Sequence, residues 1–151
     1  MGSVSFPDVQ AHLRSRYRLQ KDEAQSFLLG FAFDPQGPQS LAAEPLVQGV
    51  YGQLVTVDGR AFVVLRAEVC SDRALDPQAA LLHSAKLIVG ALSLMGNHYV
   101  LRYSLPLSSL ALDDLDYALE YLAREAAFTR ARIAQHVAGK EVRSRVPHWT
   151  E

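Results

Sequence analysis

Five histidines, one cysteine and two adjacent carboxylate pairs are the groups in this chain best suited to chemistry. A zinc site built on one helix needs imidazoles at i and i+4, or clustered thiolates. His12, His83, His98, His136 and His148 are scattered and offer neither. Cys70 stands alone, which excludes an intramolecular disulfide. A catalytic thiol needs a positioned base, and no base is indicated. Cys70 therefore reads as a small buried strand residue. Asp113/Asp114 and Asp22/Glu23 are candidate acid–base pairs. General acid–base work requires a shifted pKa inside a pocket. Both pairs fall at expected helix ends, where acids cap or stay solvated. Gly90 and Gly96 are too far apart for a nucleophile elbow. Neither a Walker loop nor a glycine-rich strand-to-helix turn is present. The expectation is a protein with no catalytic residues, no metal and no cofactor.

Charge points to a second chemistry. The formal net charge is −1, so the chain as a whole does not attract polyanions. Locally, Arg14, Arg16, Arg18 and Lys21 cluster early, and Arg130, Arg132, Lys140, Arg143 and Arg145 cluster late. Solvated helix faces are the ordinary reading. The alternative gives Arg14, Arg18, Arg143 and Arg145 phosphate contacts in a nucleic-acid-binding accessory protein. Tyr17, between Arg16 and Arg18, and Trp149 offer aromatic partners for stacking.

These residues must be held by recognisable elements. Asp8 to about Asp22 reads as a helix capped by Asp8, with Val9, Leu13 and Tyr17 on one stripe. Ser26 to Asp34 alternates as a strand does. Phe27, Leu29, Phe31 and Phe33 share one face, and Leu28, Gly30 and Ala32 the other. Leu46–Val57 and Arg60–Val69 flank Asp58-Gly59, a dipeptide suited to a two-residue hairpin. Asp76-Pro77 opens a second helix that runs to about Gly90. Leu81, Ala85, Ile88 and Leu92 form its stripe, and Leu82 and Val89 widen it. That arc exceeds what one sheet contact needs and predicts a second partner surface.

Ala91–Met95 and His98–Leu105 read as a second hairpin around Gly96-Asn97. Asp113 to about Val137 reads as a long last helix, buried through Leu115, Leu119, Leu122, Ala126 and Ile133, with Gly139 as its C-cap. The fold class is α+β: an antiparallel sheet in the order α-β-β-β-α-β-β-α, with helices mainly on one face. Residues 1–139 form a single domain and 140–151 a polar tail. About half the residues are apolar, enough for a core. No stretch approaches a membrane span, and residues 1–8 lack the pattern of a signal peptide. The expected location is the cytoplasm, away from membranes.

Leu87 to Ile133 resembles the C-terminal half of the YbjN family and of class I type III secretion chaperones. The matching features are Ala91-Leu92-Ser93-Leu94-Met95, then Tyr99 to Leu105 running into Leu105-Pro106-Leu107, then Leu110, Asp113, Leu115, Ala118, Leu119 and Leu122. The resemblance implies a homodimer whose middle helix supplies Leu81, Leu82, Ala85, Ile88 and Val89. It also implies a groove for an extended partner segment, lined by Leu13, Tyr17, Leu28, Phe31 and Phe33. Near-neutral charge and a basic first helix favour a YbjN-like cytoplasmic adaptor over a secretion role. The expected function is a non-catalytic, dimeric, chaperone-like adaptor that binds a flexible segment of another protein. Nucleic-acid binding is the alternative.

Overall fold

The computed structural model describes residues 3–34 and 44–144, with side chains described as far as Gln135. Its first helix, α1, spans Phe6–Arg16. Ser5 caps it: the Asp8 amide donates to Ser5 Oγ at 3.2 Å, and the Ser5 amide donates to Asp8 Oδ2 at 2.9 Å. Asp8 is thus the returning arm of a capping box, not the cap itself. Phe6, Val9, Gln10 and Leu13 are buried.

The helix expected to reach Asp22 stops at Arg16, and Leu19–Glu23 forms a strand, β1. That strand sits at the edge of the sheet and is mostly exposed, so it carries no apolar alternation. Gln10 ties it to α1, donating to Asp22 Oδ1 at 3.0 Å and to the carbonyl of Glu23.

Strands β2 (Ser26–Phe33), β3 (Leu46–Val57) and β4 (Arg60–Ser71) continue an antiparallel meander. Asp58 and Gly59, at φ of 49° and 74°, supply the two left-handed residues of the β3–β4 hairpin. After α2 (Pro77–Ser84) come β5 (Ala91–Met95) and β6 (His98–Pro106), joined through Gly96 at φ 62°. The sheet has six strands in the order β1-β2-β3-β4-β6-β5, all antiparallel. The observed order therefore has one strand more than the sequence suggested.

One face of the sheet carries Phe27, Leu29, Val50, Val63, Leu65, Ala67 and Leu101, and buried apolar residues of the first and last helices join the core there. Phe27 and Leu29 share one face, as the alternation of β2 predicted, and it is this face that the helices cover. The last helix, α3 (Leu112–Ser144), buries Leu115, Leu119, Leu122 and Ala126 completely, with Ile133 partly covered. It runs through Gly139, where a C-cap was expected, to Ser144. A glycine inside a helix costs only about 1 kcal/mol against alanine, so it need not end one. The boundary expected at 139/140 therefore falls inside α3.

Between β3 and β4 the ladder runs from Val57/Arg60 to Tyr51/Arg66, and β4 is irregular between Glu68 and Cys70. Beyond Tyr51 the Gln48 side chain takes over part of the bonding. Its Nε2 donates to the carbonyls of Gly49 and Glu68, both at 3.0 Å.

Candidate interaction surfaces

Helix α2 behaves differently from its expected amphipathic pattern. Asp76 caps it, donating no hydrogen but accepting from the Ala79 amide at 3.2 Å, and Pro77 follows at the first turn. The helix ends at Ser84, well before Gly90. Its one buried residue is Ala80. The Ser84 hydroxyl accepts from the Leu92 amide at 3.0 Å, which fixes α2 beside edge strand β5. The chain then turns into β5 through Gly90, at φ 75°; a Cβ there would stand 2.8 Å from the Arg102 carbonyl oxygen.

This packing reverses the expected stripe. Leu81, Leu82 and Ile88 are 72%, 62% and 83% exposed, and Ala85 is exposed too. Leu92 and Val89 are partly buried against the core. The reason is length: a two-turn helix seated through Ala80, with His83 bonded to Thr129 and Ser84 to Leu92, has no second face to bury. Ile88 is held in place by its backbone, whose amide donates to the Tyr121 hydroxyl of α3 at 3.1 Å. Tyr121 stacks on the exposed Tyr117, with ring centroids 6.1 Å apart. On β5, Leu94 and Met95 are exposed as well. Of the five residues expected at a dimer contact, four are solvent-facing here and Val89 is half-buried.

The expected partner groove is scattered. Leu13 is fully buried in the core and faces no groove. Tyr17, Phe31 and Phe33 are half-buried against the core and pack in a row, with Tyr17 and Phe31 edge-to-face at 5.6 Å and Phe31 and Phe33 stacked at 6.2 Å. Phe128 of α3 and the Arg124 guanidinium cover Phe33, at 6.1 Å and 5.8 Å. The row is therefore largely occupied by its own chain. Leu28 alone lies on the opposite face, where it lines a groove.

The early basic cluster is also engaged. Arg14 pairs with Asp22, and Arg16 reaches Asp116 at 3.3 Å. The Arg14 guanidinium holds the Asp22 carboxyl below its ordinary value. Arg18 is exposed in the turn before β1. The Arg143 side chain and Arg145 lie outside the described residues. Asp116 also takes His12 Nε2 at 2.9 Å and the Tyr17 hydroxyl at 3.4 Å, which clamps α1 to α3. Burial, followed by the Asp116 charge, pushes the Tyr17 phenol up.

A groove opens where β3 and β4 part, reaching Val69 of the core and Arg130 of α3 as well as outward-facing residues of the sheet. It encloses about 680 Å³ and is bordered by Leu28, Gln48, Tyr51, Arg66, Glu68 and Val100 among others. Register places Leu28, Tyr51, Arg66, Arg102 and Ala91 in one row across five strands. His98 pairs with Glu68 at 3.2 Å on the rim. Gln48 Oε1 and Arg66 Nε are buried without a hydrogen-bond partner. Sequence reasoning gave Arg66 and Glu68 no role. Gln48 carried no signal, because its importance depends on strands parting beside it. Two other cavities, of about 700 Å³ beside Phe6 and Leu54 and about 380 Å³ between α2 and α3, hold no cluster of titratable groups.

Among the described residues, no three His, Cys, Asp or Glu side chains are grouped to hold a metal. Among the same residues, no helix is long and apolar enough to cross a membrane. No protein-family model, curated protein or solved structure matches the chain.

Proposed function

We propose that this protein is a non-catalytic, chaperone-like adaptor that self-associates through α2 and β5 and binds an extended segment of another protein. One observation carries the reading. Leu81, Leu82 and Ile88 are largely exposed next to edge strand β5, whose Leu94 and Met95 are also exposed. Large apolar side chains gathered beside an unpaired strand edge mark a surface that is covered in use. The resemblance of Leu87–Ile133 to YbjN proteins and class I secretion chaperones supports the same reading. In such an assembly two copies of α2 meet, and the second half of the task falls to the sheet.

The test is sedimentation velocity across micromolar concentrations, on the wild type and on Leu82→Asp and Ile88→Asp. A concentration-dependent dimer that both substitutions dissociate supports the reading. The expected loss is on the order of 2–4 kcal/mol, from an unpaired charge placed in a dry contact. A strict monomer at all concentrations sinks the dimer half. Affinity capture with and without nuclease tests the other half, and partners that vanish with nuclease would transfer the function to nucleic acid.

A further inference from the structure

Strand β5 ends the sheet, paired with β6 along one side and open along the other. Residues in an antiparallel pair alternate. One exchanges its amide and carbonyl with the partner strand, and the next turns both away. The Leu92 amide donates to the Ser84 hydroxyl at 3.0 Å, and Ser84 belongs to α2, not to β6. Leu92 is therefore an outward-turned residue, and so, two residues on, is Leu94. The open edge of this five-residue strand amounts to those two residues.

Ser84 changes what that edge offers. Its Oγ sits where the carbonyl oxygen of an adding strand would have to sit, and it has already taken the Leu92 amide. The Leu92 carbonyl and the two backbone groups of Leu94 remain. A helix or loop laid over an edge is one way in which a sheet is closed to further strands. The cover is also fastened independently of Ser84. His83 Nε2 lies 3.3 Å from Thr129 Oγ1 of α3, and Thr129 is buried. Beyond the helix, Leu87 packs against the core and the Ile88 amide donates to the Tyr121 hydroxyl at 3.1 Å. Ser84 is thus held at the edge by contacts on both sides of it.

We propose that Ser84 closes the β5 edge to strand addition, leaving the side chains of α2 as the contact for a second copy. The second copy rests on the adaptor reading; the closed edge does not. A strand laid along β5 would have to displace the hydroxyl from Leu92 or pair through Leu94 alone. Leu81 and Leu82 reach solvent from the same helix as Ser84, with nothing to displace. A serine suits the task because its hydroxyl accepts a hydrogen bond without carrying a charge. Alanine in its place would leave the Leu92 amide bare.

The experiment is amide hydrogen exchange by NMR on the full chain at low and high concentration, with sedimentation velocity on the same samples. In the wild type the Leu92 amide should exchange slowly and the Leu94 amide quickly, and Leu94 should stay quick as concentration rises. Ser84→Ala and Ser84→Val, which lack the hydroxyl, should speed Leu92 exchange by about tenfold, and Ser84→Thr should restore it. At high concentration the first two should also gain protection at Leu94 and form species larger than the wild type does. Two such variants keep the test alive if one fails to fold. Protection of Leu94 on association of the wild type overturns the proposal, because the sheet then continues through β5. So does a wild-type Leu92 amide as open as Leu94, and so does assembly of both hydroxyl-free variants identical to the wild type. A wild type that stays monomeric while those variants associate rejects the dimer of the adaptor reading and supports the closed edge.

Discussion

The ring of Phe27 lies across Gly52, its direct partner on the neighbouring strand. A Cβ on Gly52 would come within 2.0–2.5 Å of three Phe27 ring atoms, so the two residues share one space. Phe27 is fully buried and also stacks on Phe6 of α1, with centroids 6.0 Å apart. The ring cannot swing aside without disturbing the seat of the first helix.

Gly52→Ala should therefore destabilise the fold by about 1–3 kcal/mol, the usual cost of overfilling a packed core. Urea denaturation is the check, with the midpoint lowered and the slope unchanged. Gly49→Ala is the control. Its Cβ would meet only ordinary contacts at 3.5 Å and beyond, and a shift of similar size there would discredit the explanation.

Adjacent residues on α2 should behave in opposite ways. Ala80 is buried and is the helix's one buried residue, whereas Leu81 is mostly solvent-facing. Ala80→Asp should cost about 2–4 kcal/mol of folding stability through a buried, unpaired charge. Leu81→Asp should leave the thermal midpoint of the monomer nearly unchanged and weaken self-association. Comparable unfolding by both variants would mean that α2 packs through a different face.

Asp116 joins α1 to α3 by accepting from His12, Arg16 and Tyr17. Asp116→Ala strands three polar partners at once and should cost about 1–3 kcal/mol. Thermal unfolding measures the loss. A double-mutant cycle with His12→Ala should show non-additivity of at least about 0.5 kcal/mol, since the two residues touch.

Acid should loosen the N-terminal end. The Asp8 carboxyl is held below its ordinary value of 3.8 by the Ser5 amide and hydroxyl, and Asp22 by Arg14. Each folded-state value lies below the unfolded one. Their contributions are therefore present above about pH 4 and are lost as pH falls through the folded values. Stability measured from pH 5 to pH 2.5 should fall. The Asp8→Asn/Asp22→Asn double variant should show a shallower fall, and an identical slope would remove these groups from the account.

Cys70 should be slow to alkylate. Burial pushes its thiol up from the ordinary value, so little thiolate exists at neutral pH. Iodoacetamide should modify the native protein much more slowly than the urea-unfolded chain. Equal rates would show that the thiol is open.

What the sequence disclosed follows from how local each signal is. The Asp58-Gly59 hairpin, the β2 face of Phe27, Leu29, Phe31 and Phe33, and the buried stripe of α3 are written in nearest-neighbour chemistry. β1 was invisible because an edge strand tied down by Gln10 needs no apolar alternation. The orientation of α2 was also hidden. Alanines and leucines are equally numerous in it, yet the small Ala80 fits the close approach to the body, and the leucines are left outside. The groove between β3 and β4 depends on Gln48 entering a gap between strands, and nothing in its neighbours announces that gap.

The two rims of the sheet differ in a way that limits growth. β1 ends in Lys21, Asp22 and Glu23, while β5 runs from Ala91 to Met95 without a formal charge. Charged side chains discourage strand-on-strand addition, and an uncharged rim permits it. A second copy joining at β5 through a twofold axis would use up both permissive rims and leave only the charged ones outermost. Such an assembly terminates itself at two chains. The charges on β1 would thus guard against fibre formation even if the other rim pairs.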